Sequence, residues 1–278
     1  HQVNLWLTQI LAVIRLEWKK TFFAKRGIWI YLLALFPTFV FSMHSAYSIH
    51  RGESPDLGQD TNILATMFQF FYVRLAIFFG CLGIFMNLIR GEMLDRSLHY
   101  YFLAPIRRTV LMAGKFIAGL IAACTIFGVG SILQFVACYW YYDSQSLREF
   151  IVQGDGLHQL AAYFGVTMLA CVGYGSIFLA AGVLVRNPII PAAVILIWES
   201  INSFLPAFLQ KVSVIYYLKS LCPVEVPPQI PPPFSLLAVN PDPISPLIAV
   251  PGLLLLSAAV VLFSGYKIRR LEISYSAD

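Results

Sequence analysis

The sequence is poor in charge. Only 12% of its 278 residues are Asp, Glu, Lys or Arg, whereas a soluble domain carries about 25%. This scarcity excludes a soluble globular domain, a disordered chain and a nucleic-acid-binding protein. The hydrophobic share of 59% and the mean hydropathy of +0.74 point to a membrane protein.

Motifs that carry chemistry are also lacking. The five cysteines form no CxxC pair, and an odd, unclustered set predicts neither a disulfide framework nor a zinc site. The chain contains neither the GxxxxGK[ST] loop that binds phosphates in nucleotide-binding proteins nor the HExxH motif that binds zinc. We therefore predict no catalytic residue, no metal ligand and no cofactor-binding residue, and we expect that the chain is not itself an enzyme.

Six stretches reach the roughly 20 apolar residues that a helix needs to cross a bilayer. They are residues 27–46, 67–89, 116–139, 161–184, 189–207 and 247–266. Each run is continuous, which excludes an alternating-strand barrel, and backbone groups in lipid must be satisfied within a helix. The predicted fold class is an all-α polytopic membrane protein with a single transmembrane domain over residues 1–278.

The distribution of basic residues predicts the orientation. Of the 19 Lys and Arg residues, Arg74 lies within a span, and one set of loops holds only Arg51, Arg148, Lys211 and Lys219. The other set of loops, with both termini, holds the remainder. The positive-inside rule places that set in the cytoplasm, so we expect a multi-pass protein of the plasma (inner) membrane with both termini cytoplasmic.

Two cytoplasmic segments are predicted to be amphipathic helices. In residues 1–26, apolar side chains such as Trp6, Ile10 and Val13 recur at helical spacing beside basic ones, which is typical of a helix at the lipid interface. A plain topogenic anchor is the alternative. In residues 91–108, Glu92 and Arg96 have the order of a helical ion pair, and Pro105 should end the helix. A structured helix between two spans suggests a docking surface.

The run from Glu92 to Lys115 resembles the coupling-helix region of type-2 ABC exporter permeases. That region combines an acidic residue, a Thr/Ser–Leu pair, a Pro-Ile/Val-x-Arg motif and a downstream Lys. The matching residues are Glu92, Ser97-Leu98, Pro105-Ile106-Arg107-Arg108 and Lys115. The N-terminal helix, the six spans and the cytoplasmic termini also fit the family. Ser97 stands where Thr is common, and the outer segment after the first span is too short for a large extracytoplasmic domain.

The resemblance implies the permease subunit of an ATP-driven exporter that works by alternating access. Two separate ABC ATPase subunits would hydrolyse ATP, so ATP and Mg²⁺ would be bound by the partner and not by this chain. A second permease copy or a homologue would complete the assembly. The aromatic, apolar spans favour a hydrophobic or amphiphilic substrate. The residues predicted to couple to the ATPase are Glu92, Asp95, Arg96, Leu98, Tyr101, Pro105, Ile106 and Arg107.

Two charges lie within predicted spans. Arg74 is about 24 Å from Arg90 along a helix, and Glu199 is about 20 Å from Arg186, which places Arg74 and Glu199 at similar depths in the outer half. A lone charge at the centre of a membrane costs at least about 2.5 kcal/mol. We predict that Arg74 and Glu199 form an ion pair, within one chain or across two copies, as a structural contact or as a substrate or gate contact.

Residues 208–246 separate the last two spans, and Pro227, Pro228 and Pro231 preclude a continuous helix there. The family resemblance suggests a re-entrant segment that closes the path outside. An ordinary extracytoplasmic loop is the alternative.

Three other functions compete with a permease. An ion-coupled secondary transporter would use Arg74 and Glu199, although the sequence has no internal repeat. An intramembrane enzyme would need a nucleophile, but Gly173-Tyr174-Gly175-Ser176 is more simply a small-residue packing site. The third alternative is a membrane scaffold that transports nothing. Association with an ATPase separates the leading hypothesis from the secondary transporter.

Overall fold

A computed structural model of the protein describes residues 2–23, 27–52, 54–94, 108–185, 187, 189–226 and 244–269. These residues are mostly helical and contain no strand. The α-helices are α1 (Gln2–Phe23), α2 (Ile28–Arg51), α3 (Leu57–Met67), α4 (Phe78–Leu94), α5 (Arg108–Tyr139), α6 (Ser144–Arg148), α7 (Gly156–Leu184), α8 (Ile189–Ser200), α9 (Ala207–Gln210), α10 (Val214–Leu221) and α11 (Pro246–Arg269). The remaining helical segments are two π-helical segments (Phe68–Ile77 and Glu149–Gln153) and a 3₁₀ turn (Asn202–Phe204).

Five helices are long and apolar enough to cross a membrane. They are Ile28–Arg51, Leu57–Leu88, Thr109–Tyr139, Gly156–Leu184 and Pro246–Ile268. The prediction of an all-α, multi-pass membrane protein is confirmed at this level. The helix predicted over residues 189–207 is different, because α8 ends at Ser200 after 12 residues. That is about 18 Å against a bilayer core of about 30 Å, so a sixth span stays a prediction.

Local sequence sets the helix boundaries at one end of the bundle. Gly52 adopts a left-handed conformation (φ 67°) after α2, where a side chain would be strained. Asp56 then caps α3, since its Oδ1 accepts from the amides of Gly58 and Gln59 at 3.0 and 3.2 Å. We call this end, with Gly52 and residues 54–56 and 140–155, the distal end. The opposite end, where α1 packs against the first turns of α5, is the proximal end.

The core is built around α7, which packs against α4, α5, α10 and α11. Phe78 contacts both Tyr174 and Phe178, with ring centroids 5.4 and 4.9 Å apart. Phe85 is fully buried and lies against two glycines, Gly119 and Gly175. Small residues let helices approach closely and bring rings into van der Waals contact, which is what holds helices together in an apolar solvent.

The outer surface of the bundle is apolar. Phe39 on α2, Ile197 on α8 and Leu262 on α11 are 63%, 60% and 74% exposed. Such a surface would be unfavourable in water and fits contact with lipid or with another helix bundle. Ala192 and Glu199 are the buried residues of α8, so this helix lies at the periphery of the bundle except at these two positions.

Candidate functional site

The helix α10 begins inside the bundle. A Cβ on Gly173, midway along α7, would lie 2.8 Å from a methyl group of Val214, the first residue of α10. After α10 the chain returns towards the distal end, because Gln69 Nε2 donates to the Val224 carbonyl at 2.7 Å. Residues 201–226 therefore dip into the bundle as far as Val214 and leave it on the same side.

Glu199 holds the start of α10. Its carboxylate accepts hydrogen bonds from the amides of Val214 (3.0 Å) and Ile215 (2.8 Å) and from the Ser213 hydroxyl (2.9 Å). Tyr174 on α7 donates to it at 3.5 Å. A carboxylate at a helix N-terminus satisfies amides that have no partner within the helix, and it is favoured by the helix dipole. One side chain of α8 thus fixes α10 to α7.

Arg74 lies at a similar level, in the π-helical segment Phe68–Ile77. Phe78, four residues on, contacts the ring of Tyr174, whose hydroxyl reaches Glu199. In the described part of the chain no salt bridge joins Arg74 to Glu199, and the guanidinium lies 5.4 Å from the ring centre of Phe70. The two side chains make no direct contact here, and the predicted ion pair, within one chain or across two copies, stays a prediction. π-Helical turns inside α-helices often mark functional sites.

A cavity of about 180 Å³ opens beside Arg74. Polar groups on its wall come from Gln69, Arg74, Ser200, Ser203 and Lys219, and apolar ones from Phe70, Val73, Phe204, Ile215, Leu218, Cys222 and Val226. The wall thus combines two cations with an apolar surface and includes no carboxylate among the described residues. The sequence predicted Arg74 but did not single out Lys219.

The Lys219 ammonium is affected by its surroundings. Partial burial lowers its pKa, the positive charge of Arg74 lowers it further, and the nearby Glu225 acts in the opposite direction. Arg74 and Lys219 are thus close enough to repel each other. Arg74 and Lys219 line the same cavity because α10 enters the bundle. Their positions in the sequence do not indicate this.

The residues predicted to contact an ATPase mostly lie outside the described residues. Asp95, Arg96, Leu98, Tyr101, Pro105, Ile106 and Arg107 all fall within residues 95–107. Glu92 lies in the last turn of α4, of which only the backbone is described. The coupling helix predicted over residues 91–108 therefore stays a prediction, and the structure instead describes what surrounds its two ends.

A buried ion pair lies at those ends. Lys115 on α5 donates to Glu17 on α1 at 2.8 Å and to the carbonyl of Leu88 on α4 at 3.0 Å. Both charged side chains are nearly inaccessible, at 3% and 4% exposed. The predicted interface helix over residues 1–26 is thus a helix, Gln2–Phe23, and it is tied to the bundle. Glu17 is the one acidic residue in the basic first 26 residues, a signal that could have indicated this partner.

A second polar cluster lies at the distal end, around the buried Asp60. Its carboxylate accepts from the hydroxyls of Tyr141 and Tyr142, the latter at 2.8 Å, and lies 3.3 Å from His44 Nε2. These contacts join α2, α3 and the segment after α5. Burial, followed by the hydrogen bond to Asp60, raises the pKa of both tyrosine phenols. Asp60 lies outside the apolar run predicted over residues 67–89, so hydropathy did not indicate this cluster.

Comparison with known proteins does not assign this arrangement. The chain matches no protein-family model, no curated protein and no solved structure. Its function is therefore inferred from the geometry above and from the motif in residues 92–115.

Proposed function

We propose that the chain is the membrane-spanning permease subunit of an ATP-driven exporter of the type-2 ABC class. Two copies, or this chain and a homologue, would form the path for a hydrophobic or amphiphilic substrate. Two separate ATPase subunits would bind ATP and Mg²⁺ and would contact residues 92–107 on the cytoplasmic side. Closure of the ATPases on ATP would bias the permease between inward- and outward-open states through differential contacts.

The observation that carries this proposal is the contact of Lys115 with Glu17 and Leu88. The segment 92–107 connects α4 to α5, and Lys115 joins α5, α4 and α1 close to both of its ends. A force applied to that segment would move three helices together, because packed helices and buried ion pairs do not deform gradually. A polytopic protein without a driving partner would need only a polar turn at this place.

The inward dip of residues 201–226 gives further support. In a bilayer it would form a re-entrant segment between the last two spans, with Glu199 satisfying the amides of Val214 and Ile215. Irregular backbone at membrane depth is tolerated where it is buried in protein or lines a cavity. Such a segment would close the translocation path on the outer side and make α10 the outer gate.

Ion-coupled secondary transport is the weaker alternative. It would need a carboxylate that exchanges protons or ions, and Glu199 is the candidate within the spans. Four protein groups donate to that carboxylate, so its hydrogen-bonding capacity serves the fold of α10. This arrangement favours a structural role for Glu199 over a coupling role.

The test is purification of the chain from its native membrane in mild detergent, followed by mass spectrometry and an ATPase assay. We expect an ATP-binding subunit in a one-to-one ratio with the permease. Deletion of residues 92–107, or the double substitution Glu92→Ala/Arg96→Ala, should remove it. Arg148→Ala is the matched control, because Arg148 is an exposed cation on α6 at the distal end and should leave the complex intact.

Purification of the intact chain without any ATPase, under several detergents and lipid additions, would contradict the proposal. So would an ATPase that is retained after the deletion while the variant remains folded. Secondary transport would then be the hypothesis to test, by measuring substrate uptake into vesicles against an imposed proton or sodium gradient.

A further inference from the structure

Arg74 and Lys219 line the same cavity, and neither makes a hydrogen bond or salt bridge with any residue of the described chain. Arg74 is half-buried within the span Leu57–Leu88. A cation at such a position is costly unless an anion or water offsets it. Two cations that share one wall raise this cost, since each repels the other.

Two carboxylates lie near this pair, but within the described ranges neither forms a salt bridge with it and neither lines the cavity. Glu199 lies nearby, but its oxygens accept from Ser213, Val214 and Ile215. Glu225 is exposed and makes no salt bridge with Lys219 within the described ranges. The cavity wall therefore keeps an excess of positive charge that a ligand could complement.

We infer that this cavity binds the anionic head group of an amphiphile, a phosphate or phosphate-like group attached to an apolar chain. Arg74 offers a planar fork of donors that suits a bidentate contact with phosphate oxygens. Lys219 adds a second charge, and the Ser203 hydroxyl adds a donor. The apolar part of the wall, with Phe70, Phe204 and Leu218, would contact the first carbons of the chain.

The size of the cavity agrees with a head group and not with a whole ligand. Pockets that enclose a drug-sized molecule measure about 300–1,000 Å³, whereas this one measures about 180 Å³. The remainder of the ligand would lie outside it. Phe204, which lines the cavity, is 41% exposed, and Ile197, three residues before the lining residue Ser200, is an exposed apolar side chain (60%).

This inference deepens the proposed function by naming the class of molecule that the exporter would carry. It rests on that function only in treating the bound molecule as cargo. Binding itself depends on Arg74, Lys219 and the cavity, and requires neither ATP nor an ATPase.

The test uses the full chain in phosphatidylcholine nanodiscs, with the signal of empty nanodiscs subtracted. The probes are dodecyl phosphate, dodecyltrimethylammonium and inorganic phosphate, titrated by microscale thermophoresis. We expect dodecyl phosphate to bind at least about tenfold more tightly than either of the other two. Arg74→Gln should weaken dodecyl phosphate binding about tenfold and Lys219→Gln about threefold.

Lys211→Gln is the matched control, because Lys211 is an exposed cation three residues before α10 and lies outside the cavity wall. It should bind dodecyl phosphate as the wild type does. Arg74→Lys keeps the charge but not the bidentate fork, and it should recover only part of the loss. If Arg74→Gln fails to fold, Lys219→Gln decides, since Lys219 makes no hydrogen bond or salt bridge within the described residues.

Equal binding of dodecyltrimethylammonium, or unchanged binding in both folded cation variants, would overturn the inference. Inorganic phosphate binding as tightly as dodecyl phosphate would overturn its amphiphile part and leave a site for a free anion. These outcomes are separate from the proposed function. A chain that binds dodecyl phosphate but recruits no ATPase would support the binding site and contradict the exporter proposal. A chain that recruits an ATPase but does not bind dodecyl phosphate would support the exporter proposal and contradict the binding site.

Discussion

The Lys115 ammonium lies 2.8 Å from the Glu17 carboxylate, and the two residues are 98 positions apart in the chain. Removing one member of a buried ion pair costs about 3 to 5 kcal/mol, because it leaves a buried charge that the other had offset. We expect Lys115→Met to lower the melting temperature strongly, and the double variant Lys115→Met/Glu17→Gln to recover part of that loss. Thermal unfolding in detergent, followed by intrinsic fluorescence, measures both.

Arg15→Met is the control for that comparison. Arg15 is a cation on the same helix, but it is exposed, and exposed charges contribute little to stability. A melting temperature that falls as far with Arg15→Met as with Lys115→Met would show that the packing of α1, and not the buried pair, is responsible.

Glu199 is expected to keep α10 folded. Glu199→Ala removes the acceptor for the amides of Val214 and Ile215, and a charged hydrogen bond contributes about 1.5–3 kcal/mol. Amide exchange in a peptide covering residues 213–221 should therefore be at least about tenfold faster. Glu199→Gln keeps one acceptor oxygen and should show a smaller increase. Exchange rates in Glu199→Ala that equal those of the wild type would rule out the capping role.

Alanine substitutions at two glycines of α7 should change the stability of the protein in opposite directions. A Cβ on Gly175 would lie 2.7 Å from the ring of Phe85, which is fully buried, and overpacking costs about 1–3 kcal/mol. Gly165 has open space around that position, so alanine there should add about 0.5–1 kcal/mol of stability. We expect a lower melting temperature for Gly175→Ala and a higher one for Gly165→Ala. Equal shifts would mean that Phe85 can move aside.

We predict that the folded protein loses stability in alkali because of the tyrosines around Asp60. The pKa of Tyr142 is raised by burial and by the adjacent Asp60, above the ordinary value near 10. The folded protein then keeps a proton that the unfolded chain loses, so this stabilisation is complete below about pH 10 and decreases as the pH rises further. Between about pH 9 and about pH 11, the melting temperature of Tyr142→Phe should therefore fall less than that of the wild type.

Tyr47→Phe provides the comparison for the alkaline series. Tyr47 is 52% exposed on α2, and its ring lies under the Arg51 guanidinium, 5.0 Å from the ring centre. Its pH dependence should follow that of the wild type. Identical slopes for Tyr142→Phe and the wild type would contradict a contribution from the Asp60 cluster.

Hydrophobic runs were enough to predict five apolar helices long enough to cross a membrane, because an apolar stretch of this length has no other stable form in lipid. The first predicted span began at residue 27, and α2 begins at Ile28. The second began at residue 67, whereas the helical run starts at Leu57. The ten additional residues include polar ones such as Gln59 and Asp60, which a hydropathy window excludes. They are helical because Asp56 caps them.

The partners of the charged residues could not be predicted in the same way. Arg74 and Glu199 have suitable depths for a pair, but the π-helical turn around Arg74 and the entry of α10 beside Glu199 give each a different neighbour. Lys115 was recognised within a motif, yet its contact with Glu17 joins distant parts of the chain. Such pairings depend on how helices pack, and a single sequence records only the order of the helices.

The long separation between Lys115 and Glu17 also determines when α1 can dock. Helix α1 leaves the ribosome before α5 has been made, and its buried residues Val13 and Glu17 lie against Gly114 and Lys115 of α5. Until residue 115 has been synthesised, these side chains lack their binding surface. Helices of a nascent chain are made in order from the N-terminus, so α1 completes its packing only after α2 and the helical run Leu57–Leu88 have been made and α5 has begun.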